Sequence, residues 1–456
     1  MHSGVPYSLR LLWLYCVAAV VLYLPVLGVP FLSDDLPILY RIGVEGKLGV
    51  GSFFRPLGDL THVLNYLLTG PRPWAFRLVN LLLLGIGAWA VHRLAMRLGV
   101  RLDPMVAARW GAWSGVIFLL HPFHLEPHIW IVGRGVAMAT VAVLFALLAA
   151  ASGDRGWRVA AWTFIGGLCY ESALLAPLLV AVLGLGAWPQ DRARTLRLAC
   201  ASVAAVGVLI GLRLLVHGSL TNSYGAAFLH RPWNQYIEQG AVAVARLVIP
   251  PVPQGVPLWI LASILVVGAV FVLWGWSRQV HIVAVQRTLI LLVGLTLSAS
   301  LLGALAGVSL RSSEGDRFLH LASAFACLAI ALLISTVQRR WLRHTLMGVV
   351  PILSVIALWH GQQHWRAAGV LLERVVQAAP EPRPGRVVLR DLPGDQQGAY
   401  VLRHGLREAL YFAGRDTTAI RAHQAGMTPS AGEHWFRWNG EQFVEDDPAV
   451  EPSAAP

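Results

Sequence analysis

The chain has 456 residues, of which 56% are hydrophobic and 13% charged, and its formal net charge is +12. Soluble domains carry about 25% charged residues, so this composition excludes a soluble protein with a single anchor and predicts an all-α polytopic membrane protein. The positive charge does not indicate nucleic acid as a partner. All but one of the lysines and arginines are arginines, and many of them flank apolar runs.

Eleven apolar runs are predicted to cross the bilayer as helices. With the amino terminus placed in the cytoplasm, every inner loop is rich in arginine, as the positive-inside rule asks. The outer loops then collect charges of both signs. We therefore expect a bacterial plasma-membrane protein whose carboxyl-terminal part is extracytoplasmic. The runs are 11–30, 76–96, 107–121, 134–151, 158–171, 173–188, 197–217, 257–276, 288–309, 318–337 and 344–360.

Two adjacent acids, Asp34 and Asp35, follow the first span. Carboxylates are costly to hold near hydrocarbon, so this pair suggests a reaction site at the outer membrane surface. The alternative is that both are solvated loop residues. Two outer segments stand out, residues 31–75 and 218–256. Glycines and prolines interrupt the first, and aromatic residues and prolines in the second suit a re-entrant or interfacial helix.

A cluster of ionisable residues marks the boundary between the third and fourth spans, where His121, His124, Glu126 and His128 fall within eight residues. Spacings of three and four suit one helix face and could bind a metal. Two prolines interrupt that helix, however, and no second ligand group is apparent, so we predict no metal and no cofactor. The two remaining interpretations are a polar lining for an anionic substrate and a structural cap on a helix turn.

The carboxyl-terminal part is less hydrophobic than the rest. We predict a transmembrane domain at 1–362, a small mixed α/β extracytoplasmic domain at 380–446 and a disordered tail at 447–456. A strand is expected at 387–389. Alternating residues around Asn439-Gly440 predict a β-hairpin.

Five motifs, in this order along the chain, resemble those of the transmembrane-and-tetratricopeptide O-mannosyltransferases, which are GT-C glycosyltransferases. The resemblance covers about residues 10–340. Two departures are Tyr170, where the family commonly has lysine, and the lack of a repeat of 30 to 50 residues in the tail. The motifs are Asp34-Asp35, Phe54-Arg55-Pro56 followed by Asn80, His121-Pro-x-His124-x-Glu126 followed by Gly133-Arg134, Tyr170-Glu171-Ser172, and Gly315-Asp316-Arg317-Phe318-Leu-His320.

The resemblance implies transfer of a sugar from a polyprenyl-phosphate donor to a hydroxyl of a protein, glycan or lipid acceptor at the outer face of the bilayer. Such a donor carries a good leaving group, so one carboxylate base and cations that hold the phosphate suffice. Asp34 or Asp35 would be catalytic, and the family favours the first acid of the pair. The expected substrate-binding residues are Arg55, His121, His124, Glu126, Arg134, Glu171, Asp316 and Arg317.

Other interpretations stay open at this level. Arg55, Arg134 and Arg317 form the expected phosphate clamp. Each of them could instead pair with a nearby acid: Arg55 with Asp59, Arg134 with Glu126, and Arg317 with Glu314. A transporter or flippase for a lipid-linked or anionic solute would also place charges between helices. An O-antigen-type ligase or polymerase and a non-catalytic membrane scaffold are the other two alternatives.

Overall fold

The structure is a computed structural model that describes residues 4–47, 53–186, 189–219, 231–251, 282–381, 383–423, 427, 430 and 432–446. The expected span at 257–276 and the expected disordered tail at 447–456 lie outside these residues.

Helices dominate the described residues. Six are long and apolar enough to cross a membrane, which confirms a multi-pass membrane protein. The helices are α1 (Gly4–Leu22), α2 (Asp35–Gly43), α3 (Pro56–Thr69), α4 (Pro73–Leu98), α5 (Pro104–Leu120), α6 (Leu125–Ile129), α7 (Arg134–Ser152), α8 (Gly156–Gly167), α9 (Ala176–Gly186), α10 (Pro189–His217), α11 (Trp233–Arg246), α12 (Ile282–Ala299), α13 (Leu301–Ala306), α14 (His320–Thr336), α15 (Arg340–Ala378) and α16 (Leu406–Phe412).

Several expected spans differ in their bounds from the helices observed. The first helix ends at Leu22 rather than at residue 30, and a 3-10 turn with a proline in its first positions follows it. Proline lacks the amide that a continuing helix needs. The two runs between 158 and 188 become α8 and α9, with a 3-10 turn at Glu171–Leu175 between them. At 12 and 11 residues, each of these two helices is shorter than the roughly 20 residues that cross a bilayer.

The core forms around α4, which packs against α1, α5 and α7. Close approach of α1 and α4 depends on Gly85, since a Cβ there would lie 2.6 Å from the Cα of Cys16. Small residues allow such backbone contact between membrane helices. On the other side of the core, the Trp110 indole donates to the Leu328 carbonyl at 2.8 Å and joins α5 to α14.

The two outer segments contain helices. Residues 31–75 hold α2 and α3, so the glycines and prolines there separate helices rather than abolish them. The helix expected within 218–256 is α11.

The carboxyl-terminal region forms a four-stranded sheet in the order β4-β1-β5-β6 and a separate two-stranded ribbon, β2-β3. The strand expected at 387–389 is confirmed as the middle of β1, and the expected hairpin is confirmed by antiparallel β5 and β6. Its strands are β1 (Arg386–Arg390), β2 (Asp395–Gln396), β3 (Ala399–Tyr400), β4 (Ile420–Ala422), β5 (Glu433–Trp438) and β6 (Phe443–Glu445).

This sheet region packs directly on the segment that carries the acid pair. The Ser33 amide donates to the Val401 carbonyl at 3.0 Å. Gly405, with φ of +87°, approaches so closely that a Cβ would lie 2.9 Å from the Ser33 carbonyl oxygen. The helix α15 is continuous through the expected domain boundary at 362, and Arg415 donates to the Ala379 carbonyl, just beyond its end, at 2.8 Å. The two regions are therefore joined by packing as well as by the chain.

Candidate functional site

The two aspartates after the first helix have different environments. Asp35 is fully buried, and its two oxygens accept the Leu32 amide at 3.2 Å and the Val132 amide at 3.3 Å. Burial raises the pKa of Asp35 to about 7, although Arg77 opposes the rise. Because both of its carboxylate oxygens accept backbone amides, Asp35 holds the start of α2 against the segment before α7.

Asp34 is half-buried, and within the described parts of the chain its carboxylate accepts no hydrogen bond. Burial raises its pKa, while the basic side chains of His404, Arg317 and Arg403 oppose that rise. Two of those three residues belong to the carboxyl-terminal region. Asp34 is therefore the acid of the pair whose oxygens are available to a substrate.

Arg77 holds the chain that leads into the acid pair. It is 1% exposed, and it donates to the carbonyls of Pro30 at 2.8 Å and Ile129 at 2.9 Å, as well as to those of Leu27 and Val29. Arg77 is not among the site residues predicted from the sequence. Its signal was an arginine near the start of an otherwise apolar span, where a charge is costly without partners.

Arg134 has a similar structural environment. Its guanidinium is fully buried and donates to the Asn80 and Asn65 side-chain oxygens, both at 2.8 Å, and to the Phe76 carbonyl at 2.9 Å. It therefore joins α3, α4 and α7. The alternative pairing with Glu126 is wrong, because Glu126 binds another arginine.

Arg55 forms a bidentate ion pair with Glu171, in which Nε donates to Oε1 at 3.2 Å and Nη2 donates to Oε2 at 2.8 Å. Its guanidinium also lies 4.0 Å from the centre of the Tyr170 ring. The local alternative, a pair with Asp59, is wrong. Both members of the pair keep part of their surface exposed, with 21% for Arg55 and 30% for Glu171. The arginine is thus preorganised but accessible.

Arg317 contacts both a buried acid, Glu126, and a tyrosine of the carboxyl-terminal region, Tyr400. Its backbone amide donates to Glu126 at 2.9 Å, and its guanidinium pairs with the same carboxylate. The Tyr400 hydroxyl donates to Glu126 at 2.6 Å and accepts from Arg317 at 2.7 Å. Burial raises the pKa of this tyrosine. The alternative partner Glu314 instead binds Arg403 at 2.6 Å.

The expected clamp arginines do not lie on opposite sides of the bundle. Tyr170 is beside both Arg55 and Arg317, and Arg317 is near Asp34. Arg134 is near Asp35. Arg55 and Arg317 therefore share one partly exposed site with Asp34, whereas Arg134 supports that site from within the protein.

Asp316, another expected binding residue, forms a buried ion pair with Arg246 at 2.7 Å, with exposures of 2% and 0%. Arg246, which was not predicted from the sequence, ends α11 and lies 3.9 Å from the Phe123 ring. The expected binding residues His121 and His124 are also buried, at 5% and 1% exposed. Asp316, His121 and His124 therefore lie behind the accessible site rather than on its surface.

Comparisons with known proteins agree with the motifs. No family model matches the chain. It is 32% identical over 235 residues to protein O-mannosyl-transferase Tmtc2 of Drosophila melanogaster, which covers 44% of this chain and 24% of that protein. It is 34% identical over 128 residues to TMTC2 of Mus musculus, covering 27% of this chain and 14% of the relative. The resemblance to the transmembrane-and-tetratricopeptide O-mannosyltransferases is confirmed.

The chain spans about a quarter or less of the length of these O-mannosyltransferase relatives. Among solved structures, it is similar to ArnT from Cupriavidus metallidurans bound to undecaprenyl phosphate. That match has a TM-score of 0.47 and 12% identity, and it covers 90% of this chain and 88% of that one.

Proposed function

We propose that this chain is an integral membrane glycosyltransferase that moves a sugar from a polyprenyl-phosphate donor to an acceptor hydroxyl at the outer face of a bacterial plasma membrane. The observation that carries the proposal is the site around Asp34. There, one carboxylate without a hydrogen-bond partner among the described residues lies near Arg317, and Arg55 is close by. The similarity to protein O-mannosyl-transferases supports the reaction class.

The chemistry assigns Asp34 as the base. The acceptor hydroxyl oxygen forms a bond to the anomeric carbon while the bond from that carbon to the phosphate oxygen breaks. Asp34 takes the hydroxyl proton, and the electron pair of the broken bond leaves on the polyprenyl phosphate. No general acid is needed, because the phosphate is stable as an anion, in contrast to the leaving group in ordinary glycoside hydrolysis.

Arg317 and Arg55 form the proposed phosphate clamp. A guanidinium binds phosphate oxygens bidentately and keeps its charge at all working pH values. The acids Glu126 and Glu171 hold these two side chains in place while leaving each of them about one-fifth exposed. Arg134 is assigned a positioning role instead, since its donors already bind Asn80, Asn65, Thr61 and the backbone.

The test is Asp34→Asn in membrane vesicles supplied with radiolabelled polyprenyl-phosphate hexoses. Asparagine keeps the size of the side chain but cannot take the proton, so transfer should fall by about a thousandfold. Asp154→Asn is the matched control, because that aspartate pairs with Arg158 near the start of α8 and follows the end of α7 that is opposite to Arg134. Wild-type rates in the Asp34 variant would contradict the proposed base.

A transport function makes a different prediction in the same vesicles. A flippase would move the labelled donor between leaflets without forming a labelled acceptor. Leaflet exchange without transfer in wild-type vesicles would favour that alternative.

A further inference from the structure

Three buried histidines from two distant segments meet behind the proposed catalytic site. His124 and His128 flank Glu126, and His320 begins α14. One ring nitrogen of each lies within 4.8 Å of one from each of the others. All three residues are at most 3% exposed. The fold thus supplies the additional ligand group that the local sequence around Glu126 lacked.

Hydrogen-bond partners assign the proton of His128. Its Nδ1 lies 3.0 Å from the Asn80 carbonyl oxygen, which can only accept. The proton of the neutral ring is therefore on Nδ1, and Nε2 carries a lone pair. Histidines that bind metals use this same arrangement, donating one ring N–H to a backbone carbonyl while the other nitrogen binds the ion.

His124 is oriented in the same way by Ser323. The Ser323 hydroxyl donates to the His320 carbonyl at 2.7 Å, so it accepts from His124 Nε2, also at 2.7 Å. The lone pair of His124 is then on Nδ1. That atom is buried and has no partner among the described residues, and the same is true of His320 Nδ1 and of the hydroxyl of Tyr23, whose ring packs edge-on to His128.

Two of the three rings are already close to the spacing that an ion requires, whereas the separations of up to 4.8 Å within the trio would shorten when the ion binds. His128 Nε2 and His320 Nε2 are 3.0 Å apart. Two nitrogens bound tetrahedrally to zinc at 2.0–2.1 Å are about 3.3 Å from each other. Neutral imidazoles favour borderline transition metals such as zinc, whereas magnesium and calcium prefer oxygen ligands.

We propose that His124, His128 and His320 bind one zinc-type divalent ion, with water in the fourth position. The ion would tie the segment that carries Glu126 to the segment that carries Arg317, three residues before His320. It would thereby fix the geometry of that ion pair. The proposal does not depend on glycosyl transfer, because it concerns ligands and not the reaction.

The wild-type protein provides the first test. The full chain is purified in detergent through an affinity tag without histidines, incubated with zinc and dialysed. Mass spectrometry of the metal content should give close to one zinc ion per chain, and X-ray absorption should show three imidazole nitrogens at about 2.0–2.1 Å. Substoichiometric metal, or a shell of oxygen ligands alone, would overturn the proposal and leave a histidine hydrogen-bond network.

Variants locate the ion. His320→Phe and His128→Phe should each lose the bound zinc, whereas His360→Phe should keep it, since His360 is exposed and lies on α15. Retention of the ion by both cluster variants would place it elsewhere and refute the assignment. Should either variant fail to elute as a single folded species, the X-ray absorption spectrum of the wild-type protein still decides.

Discussion

Among single residues, each deeply buried charge in the described parts of the chain bonds either an opposite charge or backbone and side-chain amide groups. Glu126 is fully buried and pairs with Arg317, which is partly exposed. Asp316 is 2% exposed and pairs with Arg246, which is fully buried. Removing one member of either pair would leave the other charge buried and unpaired, which would cost several kcal/mol in the free energy of unfolding. Asp34 differs from these acids, because its half-buried carboxylate lies near cations without bonding to any described residue. That difference is what suits it to accept a proton.

The proposed clamp predicts an effect of Arg317→Lys. Lysine keeps the charge but cannot form two parallel hydrogen bonds to one phosphate. Losing one charge-assisted hydrogen bond should raise the KM for the polyprenyl-phosphate donor by about tenfold to a hundredfold. Arg383→Lys is the control, since Arg383 forms an exposed pair with Glu445. The KM for the donor is measured with both variants. Equal values would contradict the assignment of Arg317 to the clamp.

Asp35 predicts a pH dependence of stability. Its pKa of about 7 in the folded protein is above the ordinary value of about 3.9, so the folded state binds the proton more tightly than the unfolded state. The free energy of unfolding should be highest at acidic pH and should decrease as pH rises toward 7. Asp35→Asn cannot ionise, so its melting temperature should depend less on pH over this range. If the melting temperatures of the two proteins changed equally with pH between pH 5 and 8, this assignment would be contradicted.

At the scale of elements, the ribbon β2-β3 completes a site that the helices begin. Tyr400, at the end of β3, bonds Glu126 from α6 and Arg317 from the 3-10 turn before α14. Its ring also packs 4.9 Å from that of Trp130. The carboxyl-terminal region is therefore part of the site rather than an appended module. Nothing local in the sequence around Tyr400 indicates this.

Tyr400→Phe tests that role. The ring packing is preserved, but Glu126 and Arg317 lose a shared partner. The cost should be about 1–3 kcal/mol in stability. We also expect a larger fall in transfer rate than that loss of stability explains, because Arg317 gains freedom. Tyr411→Phe is the control, as its exposed ring meets that of Tyr40 edge-on. Thermal unfolding and donor KM, measured together, separate a positioning role from a purely structural one.

At the scale of the whole molecule, the charges divide between two ends of the bundle. Arg97 donates to the carbonyls of Ala151 and Ser152 at 3.2 Å, and Arg101 lies 3.9 Å from Asp191. Three of the loops expected in the cytoplasm thus meet at one end of the bundle, as the positive-inside rule predicts for one membrane face. The carboxyl-terminal region instead contacts the segment of Asp34.

This division predicts the topology. A reporter that is active only outside the cytoplasm should be active when fused after residue 425 and silent when fused at Ser152. The reverse pattern would place Asp34 in the cytoplasm and contradict the proposed outer-face reaction. Activity of both fusions would show that the span count is wrong.

The class of protein, the break between the runs 158–171 and 173–188, and the hairpin at Asn439-Gly440 could be predicted from the sequence. These depend on composition, local periodicity and turn chemistry, which neighbouring residues specify. The order of strands in the carboxyl-terminal sheet was harder to predict from the sequence, because β1 pairs in parallel with β4 and β5, which come much later in the chain.

The tertiary structure was needed to show that Asp34 rather than Asp35 lacks a hydrogen-bond partner among the described residues, and which acids Arg55 and Arg317 bind. Arg55 and Glu171 are separated by 116 residues, Glu126 and Arg317 by 191, and Glu126 and Tyr400 by 274. A buried charge takes whichever partner the packed helices bring to it, and the nearest acid in sequence was the partner of none of these three arginines, Arg55, Arg134 and Arg317. The same reason applies to His320, which becomes a neighbour of His128 only when the 3-10 turn before α14 packs beside α6.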